Sequence, residues 1–281
     1  MAGRRVVVTR AVEQAGELVR ELEVMGAEVV RLPMVAFAAP EDWGAMDEAL
    51  GRLAEFDAIL FTSQNAVRFF AGRCAGNAAA REAIASSRHL IAAVGTATAR
   101  AAMDEGLRVD YVARNHRGEG LAREMQGLLA GRKVLLPRSD RADERMPALL
   151  CEGGAKVTEV VAYRTVAPER PDEAVLGRVR RGEVDAIVFA SPSAYQNLMQ
   201  CLGAGGAGEL AKLSERVQFA AIGATTAGAI RDAGARVAIE AREASAGCLA
   251  AAIAKYYERE TATKEPAAGG AAPRQREARR A

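Results

Sequence analysis

The chain repeats itself at a fixed offset of 128 residues, which confines it to folds built from two copies of one unit. Phe56-Asp57-Ala58-Ile59-Leu60-Phe61-Thr62-Ser63-Gln64-Asn65-Ala66 returns as Val184-Asp185-Ala186-Ile187-Val188-Phe189-Ala190-Ser191-Pro192-Ser193-Ala194. Val94-Gly95-Thr96-Ala97-Thr98-Ala99 returns as Ile222-Gly223-Ala224-Thr225-Thr226-Ala227, and Val6-Val7-Val8-Thr9-Arg10 as Val134-Leu135-Leu136-Pro137-Arg138. Asp57 and Asp185, Gly95 and Gly223, and Gly26 and Gly154 all stand 128 positions apart, so the copies align without a net insertion. Two such copies are expected to face each other across a cleft in which a ligand meets the same loops twice.

Each copy alternates short β-branched runs with alanine-rich amphipathic segments, the pattern of parallel strands joined by helices. In the first copy this predicts strands at Arg5–Thr9, Glu28–Leu32, Ala58–Phe61, Leu90–Val94 and Val109–Tyr111. Helices are predicted at Glu13–Met25, Gln64–Ala71, Thr96–Glu105 and Gly118–Ala130, and in the second copy at Arg141–Glu152, Pro192–Cys201, Ala224–Ala233 and Ala246–Tyr257. The expected fold class is α/β, two flavodoxin-like parallel sheets. Pro33–Pro40 and Ala162–Pro171 break the rhythm at equivalent places and have the extended, proline-containing character of connecting strands. From Thr261 the chain turns to alanine, glycine, proline and charge, which cannot bury enough apolar surface to offset ordering, so residues 259–281 are expected to be a disordered tail. Its Arg274, Arg276, Arg279 and Arg280 are read as solvated.

The 281 residues suffice for two domains with cores of their own. Because 38 basic residues nearly balance 36 acidic ones, no global field argues for nucleic acid or a membrane, and recognition of an acidic ligand must be local. Cys74, Cys151, Cys201 and Cys248 are isolated and only His89 and His116 accompany them, so no metal site is expected. The chain passes from Arg4-Arg5 into a strand too short for a secretion signal or a membrane span, and a cytoplasmic location is expected.

In open parallel sheets ligands bind beyond the carboxyl ends of the strands, where helix N-termini present free N–H groups. The repeated motifs lie there: Ser63 and Asn65, Ser191 and Ser193, Thr96 and Thr98, Thr225 and Thr226. Each hydroxyl or amide taken alone reads as an N-cap. As a paired set they point to ligand binding, because capping does not require Gly95 or Gly223, whereas close approach of a ligand to the backbone does. Arg10 and Arg138 end the first strand of each copy, positioned to pair with ligand carboxylates. Tyr163, in the second connector, is either a phenol that donates into the cleft or an amphipathic residue covering the hinge. No Ser-His-Asp order, carboxylate dyad, activated cysteine or phosphate-binding loop is present.

Taken in order, these motifs resemble the uroporphyrinogen-III synthase family over about residues 4 to 258. The resemblance also draws on Gly120-Leu121 and on the connector Val161-Ala162-Tyr163-Arg164-Thr165-Val166. It implies two flavodoxin-like domains joined by a two-stranded ladder, with the first βαβ stretch exchanged: residues 1–36 with 167–258 form one domain and 37–166 the other. It implies a cofactor-independent hydro-lyase, working without metal, that cyclises hydroxymethylbilane, a linear tetrapyrrole polycarboxylate, to uroporphyrinogen III with loss of water and inversion of the last pyrrole ring. By matching position, Tyr163 assists departure of the hydroxyl, and Ser63, Thr98, Ser191, Ser193, Thr225 and Thr226 hold carboxylates. The Ser139-Asp140 pair departs from the glycine that many relatives carry and puts a negative charge near an acidic substrate, unless Asp140 turns away or Arg141 neutralises it. A monomer is expected, since the repeat supplies both halves of the cleft. A hinge protein that closes on a small polycarboxylate without chemistry is the competing reading, and its sign, a secretion signal, is missing. A nucleotide-sugar transferase would need a phosphate loop.

Overall fold

The computed structural model describes residues 1–264 except Ser87 and His116. The strands are β1 (Arg5–Val8), β2 (Glu28–Arg31), β3 (Ala36–Ala38), β4 (Ala58–Phe61), β5 (Leu90–Ala93), β6 (Tyr111–Val112), β7 (Lys133–Ser139), β8 (Lys156–Val166), β9 (Ala186–Phe189), β10 (Gln218–Ala221) and β11 (Ile239–Glu240). They divide between two compact units, one made of Met1–Val35 with the chain from Ala167 onward, the other of Ala36–Val166.

The sheet of the first unit runs β11-β10-β9-β1-β2, all parallel. Counted from β2 this is the flavodoxin order 2-1-3-4-5, with ligand sites expected where the order reverses. In the second unit the order β8-β7-β4-β5-β6 is the same once β7 and β8 are counted first and second. β1 and β2 thus pair beside strands of the second sequence copy, while β7 and β8 pair beside strands of the first. β3 adds to the second sheet antiparallel to the end of β8, with Ala36 opposite Val166 and Ala38 opposite Arg164. The two crossings of the chain between units therefore sit side by side.

The repeat is kept residue for residue. β4 and β9, β5 and β10, β6 and β11, β1 and β7, and β2 and β8 begin 128 positions apart, as do the helices Gln64–Ala75 and Pro192–Cys201, and Thr96–Asp104 and Ala224–Asp232. Gly26 and Gly154 both take φ of +86°, the left-handed conformation glycine adopts most easily where a helix hands over to a strand. β4 (Ala-Ile-Leu-Phe) and β9 (Ala-Ile-Val-Phe) are buried at every position, as central strands covered on both faces must be. Phe61, Phe70, Phe189 and Phe219 are fully enclosed, each contributing about 1.5–3 kcal/mol by burial.

Several short helices went unread in the sequence: Gly44–Gly51, Ala78–Ala85, Glu173–Arg181 and Gly206–Leu213. Two of them carry caps that announce a start, Asn77 accepting from the Ala80 N–H at 3.0 Å and Asp172 from Ala174 and Val175. The helix expected from Arg141 begins only at Arg145. Residues 141–144 are non-helical, and the Asp143 carbonyl among them accepts from the Arg138 guanidinium. The last helix runs on from Ala246 to Lys264, so residues 259–264 do not belong to a disordered tail. Tyr257 is buried there beneath the Arg4 guanidinium, 4.6 Å above its ring, and Arg4 binds Glu260 at 2.9 Å, which anchors that last turn to β1. Residues 265–281, with the four arginines read as solvated, lie outside the described residues. No helix among the described residues is long and apolar enough to cross a membrane.

Candidate active site

In the second unit the chain leaves β4 at Ser63, whose Oγ caps the following helix by accepting the Ala66 N–H at 3.0 Å. The same oxygen lies 3.2 Å from the phenolic oxygen of Tyr163 on β8. Tyr163 reaches it because β8 is bulged: Arg138 pairs with Val161 and Ser139 with Tyr163, leaving Ala162 as an extra residue. The bulge lets Ala162 and Tyr163 both turn inward, while Val161 is exposed. The ring is fixed by Phe37 on β3, edge-on at 5.6 Å, and by Phe69, stacked at 5.8 Å and 18°. The whole residue is 7% exposed. Phe37 and Phe69 were not singled out in the sequence, since nothing in their spacing ties them to residue 163.

The helices after β5 and β10 begin differently. Gly95 and Gly223 occupy the cap positions and offer no side chain, so the first-turn N–H groups of Thr96, Ala97 and Thr98, and of Ala224, Thr225 and Thr226, have no partner among the described residues. Such groups carry the positive end of the helix dipole and suit a carboxylate. Neither glycine is demanded by backbone geometry, because φ is −176° at Gly95 and 171° at Gly223, extended values open to any residue. Nor does packing demand Gly223, where an added Cβ meets only the Ala244 Cβ, at 3.9 Å. Thr98 and Thr226 are buried against the helix start, while Thr225 is exposed.

In the first unit Ser191 caps its helix through the Ala194 N–H at 3.3 Å and stands 2.9 Å from Ser193 Oγ. A pair of adjacent hydroxyls results, with one proton free to donate outward. Arg10, half-buried after β1, has no ion pair or hydrogen bond among the described residues. Burial pushes its guanidinium pKa down, with Glu17 opposing, as for a cation that lacks a counter-ion.

Two of the expected ligand residues are otherwise engaged. Arg138 is 6% exposed and bonds Glu159 on β8 and the Asp143 carbonyl, so it is not free for a ligand carboxylate. A guanidinium withdrawn that far from water requires a counter-ion, and Glu159 supplies it from the neighbouring strand. Asn65 is buried, and its side-chain oxygen accepts from Arg68 at 2.5 Å. Asp140 turns to the strand edge, accepting from Thr165 N–H and Ser139 Oγ at 3.0 Å each, so two donors offset its charge.

Among the described residues no three His, Cys, Asp or Glu side chains come together as metal ligands. The Cys74 thiol is buried and its pKa is pushed up to about 12 by desolvation, which leaves it unreactive. A groove of about 850 Å³ lies between β11 and the last helix, lined by Ile239, Arg242 and Tyr256, and contains none of the residues above.

Residues 16–251 match the family described as Uroporphyrinogen-III synthase HemD. A uroporphyrinogen-III synthase of Synechococcus elongatus is 28% identical over 93% of this chain and 98% of its own. One from Chlorobaculum parvum is 29% identical over 84% of this chain and 92% of its own. The crystal structure of uroporphyrinogen-III synthetase from Helicobacter pylori shares the fold, with a TM-score of 0.61 over 90% of this chain and 99% of that one at 17% identity.

Proposed function

This chain belongs to the uroporphyrinogen-III synthase family, and we propose that it cyclises hydroxymethylbilane with the Tyr163 phenol as proton donor. The observation that carries the assignment of the phenol is its placement: a nearly enclosed tyrosine, clamped by two aromatic rings, with its oxygen on the Ser63 hydroxyl. The substrate's own pyrrole electrons expel its hydroxyl, so the protein needs to supply little more than a proton and a fixed pose.

The C–O bond breaks with its electron pair passing to oxygen, the phenolic proton completes a water molecule, and an azafulvene cation is left. That cation can bond to either of two carbons of the last ring. Attack at the already substituted carbon, through a spiro intermediate, gives the type III isomer, and unassisted closure gives type I. The phenolate takes back the proton that the substrate releases as its final ring regains aromaticity, so the balance over one turnover is loss of one water.

Control of the outcome rests on holding acetate and propionate carboxylates. We assign this to the open helix starts at Gly95 and Gly223 with Thr98, Thr225 and Thr226, to the Ser191 and Ser193 hydroxyls, and to Arg10. These groups are preorganised donors that need no rearrangement when charge shifts along the substrate. One chain carries donors of this kind in both units, which supports a monomer. The balanced charge and the absence of a membrane-crossing helix among the described residues are compatible with work in the cytoplasm. The test is incubation with freshly made hydroxymethylbilane and resolution of the III and I isomers after oxidation. Predominant type III product is expected. Type I at the unassisted rate, from a protein that still binds the substrate, would instead make it a polycarboxylate-binding protein.

A further inference from the structure

We infer that Ser63 is a positioning residue for Tyr163: it donates its proton to the phenolic oxygen and so keeps the phenolic proton for the substrate. The inference deepens the assignment of Tyr163 as proton donor and rests on it. A hydroxyl has one proton and two lone pairs. At Ser63 one lone pair is taken by the Ala66 N–H at 3.0 Å, and the contact at 3.2 Å to Tyr163 needs one of the two hydroxyls to donate. If the phenol donates, its proton is spent on Ser63. If Ser63 donates, the phenolic proton points elsewhere, and the same hydrogen bond strengthens as negative charge grows on the phenolic oxygen. Only the second arrangement favours the transition state over the ground state.

The duplicated fold provides an internal comparison. Ser191 occupies the place of Ser63 in the other unit, caps its helix in the same way, and has Ser193 rather than a phenol beside it. Residue 35, the counterpart of Tyr163, is a buried valine. Asn197, the counterpart of Phe69, bonds the Met34 carbonyl at 2.6 Å, so that the helix braces the connector in both units but only one of them braces a phenol. Capping alone accounts for a serine at both places, whereas the contact with the phenol is a property of Ser63.

The experiment is steady-state kinetics with fresh hydroxymethylbilane on Ser63→Ala, Ser63→Thr, Tyr163→Phe and the Ser63→Ala/Tyr163→Phe double variant, with a melting curve for each to separate the loss of a cap. Ser63→Ala is expected to lower kcat roughly 10-fold to 100-fold, the rate equivalent of one hydrogen bond to a group gaining charge, with KM and the III to I ratio unchanged. Ser63→Thr, which keeps the hydroxyl, recovers most of that loss. In the Tyr163→Phe background the alanine substitution changes kcat by less than about 2-fold, because its partner is already gone. A raised KM with kcat kept, or full multiplication of the two single effects, overturns the inference and makes Ser63 a carboxylate ligand instead. A slow Tyr163→Phe enzyme beside a Ser63→Ala enzyme at the wild-type rate removes Ser63 alone, whereas Tyr163→Phe at the wild-type rate removes the phenol from the reaction.

Discussion

Substituting Gly223 by alanine separates binding from folding. The backbone there is extended, with φ of 171°, so alanine adopts it without strain, and its methyl group touches only the Ala244 Cβ at 3.9 Å. Loss of glycine's freedom in the unfolded chain stabilises by about 0.4–1 kcal/mol, while alanine is the poorer helix cap by a similar amount, so Gly223→Ala should melt near the wild-type temperature. The added methyl belongs to the cap residue itself, next to the uncapped Ala224, Thr225 and Thr226 N–H groups proposed to take a carboxylate, and is expected to crowd it. Losing one charge-assisted hydrogen bond costs about 1.5–3 kcal/mol, roughly 10-fold to 150-fold in kcat/KM, and the substrate held less firmly should close partly to type I. Gly228 supplies the matched control, lying in the same helix with nothing within 4 Å of an added Cβ. Gly228→Ala, inside the helix, should stabilise by up to about 1 kcal/mol and leave the kinetics alone. The assay is kcat/KM with the III to I ratio, beside calorimetric melting. Gly223→Ala with unchanged kcat/KM and unchanged isomer ratio would refute the claim that this glycine makes room for substrate.

Arg138→Ala should destabilise the fold by about 1–3 kcal/mol, a range set below that of a fully buried pair because Glu159 is 37% exposed and water screens it. Its KM, measured on the folded fraction, should stay near wild type, and a large rise would return Arg138 to the substrate. Burial raises the folded Cys74 pKa from 9.0 to about 12, so the unfolded chain loses its thiol proton first as pH rises. Stability contributed by the neutral thiol is full below about pH 9 and is lost progressively toward pH 12, and urea unfolding across that window should show an alkaline slope that Cys74→Ala reduces. Removing residues 265–281 should leave turnover unchanged, since every residue assigned to the site precedes them. Removing residues 260–281 takes away the Glu260 partner of Arg4 and should lower the melting temperature. Equal melting temperatures for the two truncations would show that the anchor contributes nothing.

The strands were legible because hydrophobic runs and turn residues recur at one offset, and two weak readings of the same element reinforce each other. Short helices such as Gly206–Leu213 escaped because alanine and glycine blur helical periodicity over eight residues. Side-chain partnerships were less accessible. The equivalence of Arg10 and Arg138 suggested one role, yet Glu159 meets Arg138 only because β7 and β8 pair with Leu136 opposite Glu159, a register that sequence spacing does not specify. Asn65 was a case where more could have been read, since Arg68 lies three residues on, within reach across one helical turn. The surroundings of Tyr163 depend on a bulge and on rings from two distant segments, and no local pattern encodes either.

The position of β1 between β2 and β9 also bears on the order in which the chain matures. Val6 pairs with Ala186, so β1, made well before β9, cannot be flanked on that side until β9 emerges. At the usual 5–20 residues per second, the roughly 150 residues between β2 and β9 take about 8–30 s to appear. Throughout that interval one edge of Arg5–Val8, three of whose four residues end up buried, is a bare template for pairing with another chain. The other unit, continuous from Ala36 to Val166, has all its strands available in the meantime. Slow translation or a crowded nascent chain should therefore cost this protein yield through β1 first, however stable the finished fold.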